Sequence, residues 1–281
     1  MYHECIPSHF PVGGVFHEEI GKNMEQQEIN MPVCIEKNLT QDSTGRTYRQ
    51  YAIKTHFVAP NTDKIALVQQ YAAPIYRAGD MIFITAKVMS MCEGLIYTRE
   101  QLKPGLVART FYRFAGHADY DENGHQIHHA GSPYTGTGMY DPCRLQLAIN
   151  MVGMPRFLLA ALCSVLTKPF GVHGVFYKVC GHGVSGIDGF HKGSAFPEYR
   201  DIALVNPQNS EELCDEIFRA TGIPCAVMDS NDFDTILLGK SRDFPLSDAD
   251  IVLVMAGNPG GQKDEQTPLV LVRPCQETEQ A

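Results

Sequence analysis

The apolar runs of this chain are short, and they come in two kinds that follow one another in no regular order. "AGDMIFITAKVMS", "IPCAVMD" and "PLVLVRP" contain continuously apolar stretches bounded by Gly, Pro or Asp, as strands buried on both faces do. "NSEELCDEIFRATG" has helical spacing instead: Leu213, Ile217 and Phe218 share a face, and Asn209 and Glu212 stand at N-cap and N3 spacing. Gly222 follows as the stop. Both kinds of element without a strict strand–helix alternation predict an α+β fold of mixed sheets with packed helices.

Further elements follow from the same signals. "TGR" at 44–46 predicts a β-hairpin, and "NTDKIALVQQYAAPIY" a helix capped at Asn61 or Thr62 and ended near Pro74. "LVARTFYRFAGHA" and "HQIHHAG" read as a hairpin around "DYDENG". Asp141 and Pro142 open a helix, and "PRFLLAALCSVLTKP" is the next one. "GVHGVFYKVCGHGVSG" reads as a strand entering a glycine-rich loop, and "DTILLGK" and "ADIVLVMAGNP" as strands. No repeat or low-complexity linker marks a boundary, so the chain reads as one unit over 1–281, with 1–50 a β-rich N-terminal extension.

Net charge is −9, from 23 basic and 32 acidic residues. That argues against a nucleic-acid partner held by phosphate contacts. Nine cysteines are dispersed with no CxxC pair, which fits free thiols in a reducing cytoplasm rather than a disulfide or zinc framework. The apolar helix candidate from Phe157 to Leu166 is about half the ~20 residues of a membrane span, so no membrane partner is expected.

Four segments carry candidate chemistry. In "GDMIFITAKVMSMCEG", residues 79–94, Lys87 interrupts an apolar run and Ser90 and Glu93 follow. Such a lysine holds a phosphate or carboxylate, or snorkels to water. "CGHGVSGIDGF", 180–190, sets Gly181, Gly183, His182, Ser185 and Asp188 in a glycine-rich loop, suited to close approach of a ligand or to a tight turn. "VMDSNDFDT", 227–235, crowds Asp229 and Asp232 at a strand exit, either as oxygen ligands for Mg²⁺ or Mn²⁺ or as a solvated turn. "NPGGQKDEQTP", 258–268, offers Asn258, Gly260, Gly261, Gln262 and Glu265 as a binding loop or as the turn into a last strand. The histidines at 117, 125, 128 and 129 lack a shared face, which disfavours a common metal.

"AGDMIFITAKVMSMCEG" resembles the strand and turn of the coenzyme F(420):L-glutamate ligase family, the γ-glutamyl ligases of deazaflavin coenzyme synthesis. The matching residues are Gly79, Asp80, Ala86, Lys87, Ser90, Glu93 and Gly94. "GVFYKVCGHGVSGIDGF", "VMDSNDFDTILLG" and "GNPGGQKDEQTPLVLVRP" resemble segments of a divergent bacterial branch. The family's AGxDxSN and DTxGRxxR stretches have no counterpart here. The resemblance implies an amide ligase using GTP or ATP as co-substrate with Mg²⁺ or Mn²⁺, working on an amino acid and a small carboxylate as a homodimer. It implies catalytic roles for Lys87, Ser90 and Glu93, and nucleotide contacts at Gly181, His182, Gly183 and Ser185. Metal would sit on Asp188, Asp229 and Asp232, and substrate on Asn258, Gly260, Gly261, Gln262 and Glu265. Two rivals stand beside it: a catalytically silent binder of an anionic metabolite or nucleotide, and a metal-dependent amidohydrolase.

Overall fold

The computed structural model describes residues 32–114, 119–120, 126–127, 141–172, 174–190, 200–230, 235–261 and 265–275. They form two compact units. One, Ile96–Val205, is inserted in the sequence of the other, whose described residues are 32–95 and 206–275.

In chain order the first part of the sheet unit contains β1 (Cys34–Gln41), β2 (Thr47–Ile53), α1 (Lys64–Tyr71), β3 (Met81–Thr85) and α2 (Ala86–Cys92). The inserted unit follows with β4 (Ile96–Thr98), α3 (Arg99–Leu102), α4 (Leu106–Phe114), β5 (Asp119–Tyr120) and β6 (Gln126–Ile127). It continues with α5 (Pro142–Val152), α6 (Met154–Thr167), α7 (Val175–Cys180), α8 (His182–Ser185), β7 (Asp188–Gly189) and β8 (Ile202–Leu204). The sheet unit resumes with α9 (Ser210–Thr221), β9 (Cys225–Ser230), β10 (Thr235–Lys240), α10 (Asp248–Val254) and β11 (Leu269–Pro274).

The large sheet has the order β1-β2-β11-β3-β9-β10, antiparallel except where β3 and β9 run parallel. Alternating side chains explain why its central strands are apolar throughout. Met81, Phe83, Ala226, Met228, Val270 and Val272 join Ile251 and Val254 of α10, Met255 at its C-cap, and Phe244 and Leu246 of the preceding loop in one core. Phe83 meets Phe244 edge-on at 5.5 Å. The opposite parity, Ile82, Ile84, Cys225, Val227, Leu269 and Leu271, is equally buried. Helix α9 packs on β9, β10 and α1, so helices flank the sheet in a mixed α+β architecture. The β1–β2 hairpin is part of this sheet, since β2 pairs along its length with β11. In the inserted unit β8 lies between β4 and β7.

Several elements differ from the sequence expectation, and for residues 86–92 and 248–254 the reason is that an apolar run of six or seven residues fits a buried strand and a short helix equally well. Residues 86–92 continue "MIFIT" as helix rather than strand, 175–180 and 182–185 are helical, and 248–254 is a helix capped by Ser247. Residues 106–114 are helix as well, and of the rest of the proposed hairpin only β5 and β6 lie among the described residues. Asp63, not Asn61 or Thr62, caps α1, accepting from Ile65 and Ala66. Asp141 with Pro142 opens α5 as expected, and Gly222 ends α9 with φ +72°. The histidines at 117, 125, 128 and 129 and the C-terminal tail beyond 275 lie outside the described residues. Among those residues no single helix is long and apolar enough to cross a membrane.

Two carboxylates hold the turn between β1 and β2, and one of them, Asp250, ties it to α10. Asp42 accepts from the Thr44 and Arg46 amides and from the Thr44 and Tyr48 hydroxyls. Asp250 accepts from the Ser43 amide at 2.9 Å and from the Ser247 hydroxyl at 2.6 Å. The Ser247 hydrogen bond, then those from Ser43, hold the Asp250 carboxyl at about 2, and the Thr44 hydroxyl bond first among its contacts lowers Asp42. Carboxyls depressed in the folded state stabilise it above their ordinary value near 3.8 and lose that contribution as pH falls toward 2. The Ser43, Thr44 and Arg46 amides are therefore expected to lose hydrogen-exchange protection across that window. Unchanged protection at the lower end would show that these bonds do not hold the turn.

Candidate functional site

The parallel register pairs Thr85 of β3 with Met228 of β9, so the two strands leave the sheet at the same edge. Ligands of open sheets gather outside the carboxyl ends of parallel strands. After Thr85 the chain turns at once into α2, which places Lys87 in its first turn with the side chain exposed. The lysine thus sits on a helix at a strand exit and does not interrupt a buried strand. After Met228 come Asp229 and Ser230, the last residues of β9. The loop before β11 reaches the same edge, because the Thr85 amide donates to the Pro268 carbonyl at 3.0 Å.

That loop is shaped by its own hydrogen bonds. The Gly261 amide donates to Asn258 O at 3.0 Å, the Thr267 hydroxyl to Gly260 O at 2.7 Å, and the Thr55 amide to Gln266 O at 3.0 Å. Asn258 and Gln266 are held at φ +46° and +54°, and Gly261 at +70°. Side-chain-bearing residues in this region carry strain that a surrounding structure must overcome, a pattern found at ligand clamps. A Cβ on Gly260 would lie 3.6 Å from the Thr85 methyl, and one on Gly261 would overlap the Glu265 carboxylate. Glu265 takes the Lys37 ammonium at 3.0 Å. Gln262 lies outside the described residues.

Asn206, which the sequence reading did not single out, donates its amide to Asp229 Oδ2 at 2.7 Å. It orients that carboxylate at the strand exit. Beside it the Ser230 hydroxyl is buried and has no hydrogen-bond partner among the described residues. A buried, unsatisfied hydroxyl is costly enough to call for a physical reason. Carboxylate and hydroxyl oxygens are also donors of the hard kind that Mg²⁺ or Mn²⁺ takes.

Ser90 and Glu93 are committed to the scaffold. The Ser90 hydroxyl is 1% exposed and donates to Ala86 O at 2.8 Å inside α2. Glu93 closes the same helix and pairs with Lys64 at 2.9 Å, while Lys64 also reaches Glu216 at 2.9 Å. Burial works to lower the Lys64 pKa, but the bonds to Glu93 and Glu216 outweigh it and leave the ammonium above its ordinary value. Burial, then the Glu93 charge, pushes the neighbouring Cys92 thiol up to about 12, so it is not a thiolate nucleophile at neutral pH.

In the inserted unit the glycine-rich segment is a compact connector. Gly181 ends α7 at φ +97°, its amide donating to Tyr177 O at 2.7 Å, and residues 182–185 form one helical turn. Ser185 is exposed, Gly183 lies within that turn, and the His182 side chain is outside the described atoms. Asp188 accepts from the Gly189 amide at 2.7 Å. Two arginines that sequence reading missed organise the segment. Arg144, nearly buried, donates to the Ile187 and Gly189 carbonyls. Arg99 lies over the Phe190 ring at 4.5 Å and pairs with Asp141 at 2.7 Å and Asp201 at 3.1 Å. The only sequence signal for Arg144 is a lone charge on the apolar helix that Asp141 caps.

The proposed metal carboxylates fall in different places: Asp188 in the inserted unit, Asp229 in the sheet unit, and Asp232 outside the described residues. Among the described residues no three His, Cys, Asp or Glu side chains are grouped to hold a metal ion. What the geometry brings together is Lys87, Asp229, Ser230 and the Asn258–Gly261 turn at one edge of one sheet. No protein-family model matches the chain, and neither does any curated protein.

Proposed function

We propose that the protein is a nucleotide- and divalent-metal-dependent amide ligase of the γ-glutamyl type, joining glutamate or another amino acid to a small carboxylate. The observation that supports this reading is the shared strand-exit edge bearing Lys87, Asp229 and the Asn258–Gly261 turn, with Asn258 held at φ +46°. In such a reaction an acceptor carboxylate oxygen attacks the terminal phosphorus and the nucleoside diphosphate leaves. The amine then attacks the acyl phosphate carbonyl, and inorganic phosphate and a proton are released. Lys87 supplies a positive charge for the transferring phosphoryl or the acceptor carboxylate. Asp229, fixed by Asn206, is the acidic ligand this edge offers a cation. A bound divalent ion would neutralise phosphate charge. The Gly260 amide and the Asn258 side chain orient the substrate, on a turn closed by the Gly261 amide.

The commitment of Ser90 and Glu93 to the helix and to Lys64 favours a second reading, a binding protein for an anionic metabolite or nucleotide without catalysis. Thermal unfolding with GTP, ATP and GDP, each with and without Mg²⁺ or Mn²⁺, separates the two. At a hundredfold excess over Kd, a ligand raises Tm by on the order of 5 °C. The ligase reading expects a metal-dependent rise with a triphosphate, its metal-dependent part lost in Asp229→Asn and its size reduced in Lys87→Ala. A rise indifferent to metal supports the binding protein. No rise with any nucleotide overturns the triphosphate-driven reaction.

A further inference from the structure

Three strands, not two, end at the edge that carries Lys87 and Asp229. Ile53 pairs with Leu269, Leu269 with Ile84 and Ile84 with Val227, one row straight across the sheet. Both β2 and β3 run antiparallel to β11, so β2 points the same way as β3 and β9 and leaves where they leave. The residues that follow it are Lys54, Thr55 and His56. The bond from the Thr55 amide to Gln266 O joins them to the 258–268 loop, and the Thr55 hydroxyl donates to His56 O at 2.8 Å.

One partner holds the His56 ring. Tyr71, the last residue of α1 and largely buried, brings its hydroxyl 3.1 Å from the His56 amide nitrogen and 2.7 Å from Nδ1. The amide only donates, so the hydroxyl oxygen accepts from it. The hydroxyl hydrogen has no other acceptor among the described residues, and it goes to Nδ1. That leaves the ring proton on Nε2. Burial lowers the ring's pKa from its ordinary value of 6.5, so the imidazole is neutral at neutral pH. The ring is half-buried, and Nε2 has no hydrogen-bond partner among the described residues.

We propose that His56 is a further binding residue of this edge, donating Nε2–H to the carboxylate of an amino-acid ligand. The inference rests on the edge being the ligand site, in either of the two readings above. Strands lie about 4.8 Å apart, so β2 is ~10 Å from β3 across β11. Lys87 and Asp229 thus serve one end of a ligand and His56 the other, with the entry to β11 between them. A phosphate belongs with the ammonium and the cation ligand. A neutral imidazole supplies one directed N–H and no charge, and its strongest acceptor is an ionised oxygen.

Calorimetric titration of the intact chain with L-glutamate, alone and with GTP and Mg²⁺, tests this. His56→Leu is expected to raise Kd roughly ten- to hundredfold, the loss of one hydrogen bond to a charged group. His56→Gln, whose amide nitrogen reaches close to the place of Nε2, should keep most of the affinity. Nitrogen NMR of the histidine rings gives a readout that a structural role would not move. The His56 signals, assigned by their absence in His56→Gln, should show a protonated Nε2 and a bare Nδ1. Glutamate should shift Nε2, and Tyr71→Phe should release the second tautomer and raise Kd by a smaller factor. These measurements decide the matter even where His56→Leu does not fold. A parent that binds no glutamate overturns the inference, as does an unchanged Kd in His56→Leu or a ring proton on Nδ1. The nucleotide-dependent rise in Tm, read in Lys87→Ala and Asp229→Asn, stands or falls separately.

Discussion

Asp80→Ala is expected to cost the sheet unit about 3–5 kcal/mol, the range for removing one partner of a buried ion pair. Asp80 is 1% exposed and receives Arg273 Nε at 2.8 Å and Nη2 at 2.6 Å, a bidentate pair, with the Arg77 amide at 2.8 Å as a third donor. Arg273 also donates to Ile75 O at 2.9 Å and lies over the Tyr51 ring. The pair ties the start of β3 to the end of β11, its neighbour in the sheet. Alanine leaves a half-buried guanidinium without its carboxylate and an amide without its acceptor. Urea unfolding with an unchanged m-value measures the loss directly. Asp80→Leu combined with Arg273→Met should recover most of it, because replacing both charges removes the unpaired group. A single-variant loss below about 1 kcal/mol would show that this pair is no more than an exposed one in effect.

Gly189→Ala is expected to destabilise the inserted unit by about 3 kcal/mol or more, from overpacking and backbone strain together. Gly189 has φ +114°, and a Cβ there would overlap the Ile202 carbonyl oxygen and come within 2.7 Å of Ala203 Cα. Both belong to β8, whose backbone has no room to retreat between β4 and β7. Gly171→Ala is the control: φ is +73°, and nothing lies within 4 Å of the added methyl. It carries conformational strain alone, about 1 kcal/mol. Equal losses at the two positions would refute the steric account of Gly189.

These two residues show what could be read from sequence and what could not. Asp80 and Gly189 both stood in segments singled out for chemistry, and both serve the scaffold. A short motif names residue types at an interval, and an interval is silent on whether a glycine admits a ligand or a neighbouring strand. Cap chemistry was more legible: Asp141–Pro142 and Gly222 end their helices through local bonds that need no tertiary partner. So were β9, β10 and β11, where turn residues bound the apolar runs. Residues 86–92 and 248–254 were not legible, because tertiary burial decided between helix and strand. Within the candidate site, Lys87, Asp229 and the 258–268 loop were found by residue type. Asn206 was missed, since an asparagine at a loop end is common and only the fold brings it to Asp229. The insertion boundary escaped notice because no linker composition marks positions 95 and 206.

The central position of β11 bears on when this protein can fold. Val270 pairs with Ala52 on one side and with Phe83 on the other, partners roughly two hundred positions earlier in the chain. Until that last described strand has been synthesised, β2 and β3 have no shared neighbour, and the apolar parity of each stays open. Pairings over such distances are slow to find, although the entropy of closing a longer loop grows only with its logarithm. The inserted unit pairs and packs within its own span and is complete well before then. Assembly thus runs from the inside of the sequence outward, with the sheet that carries the candidate site finished last and most exposed to misassembly while it waits.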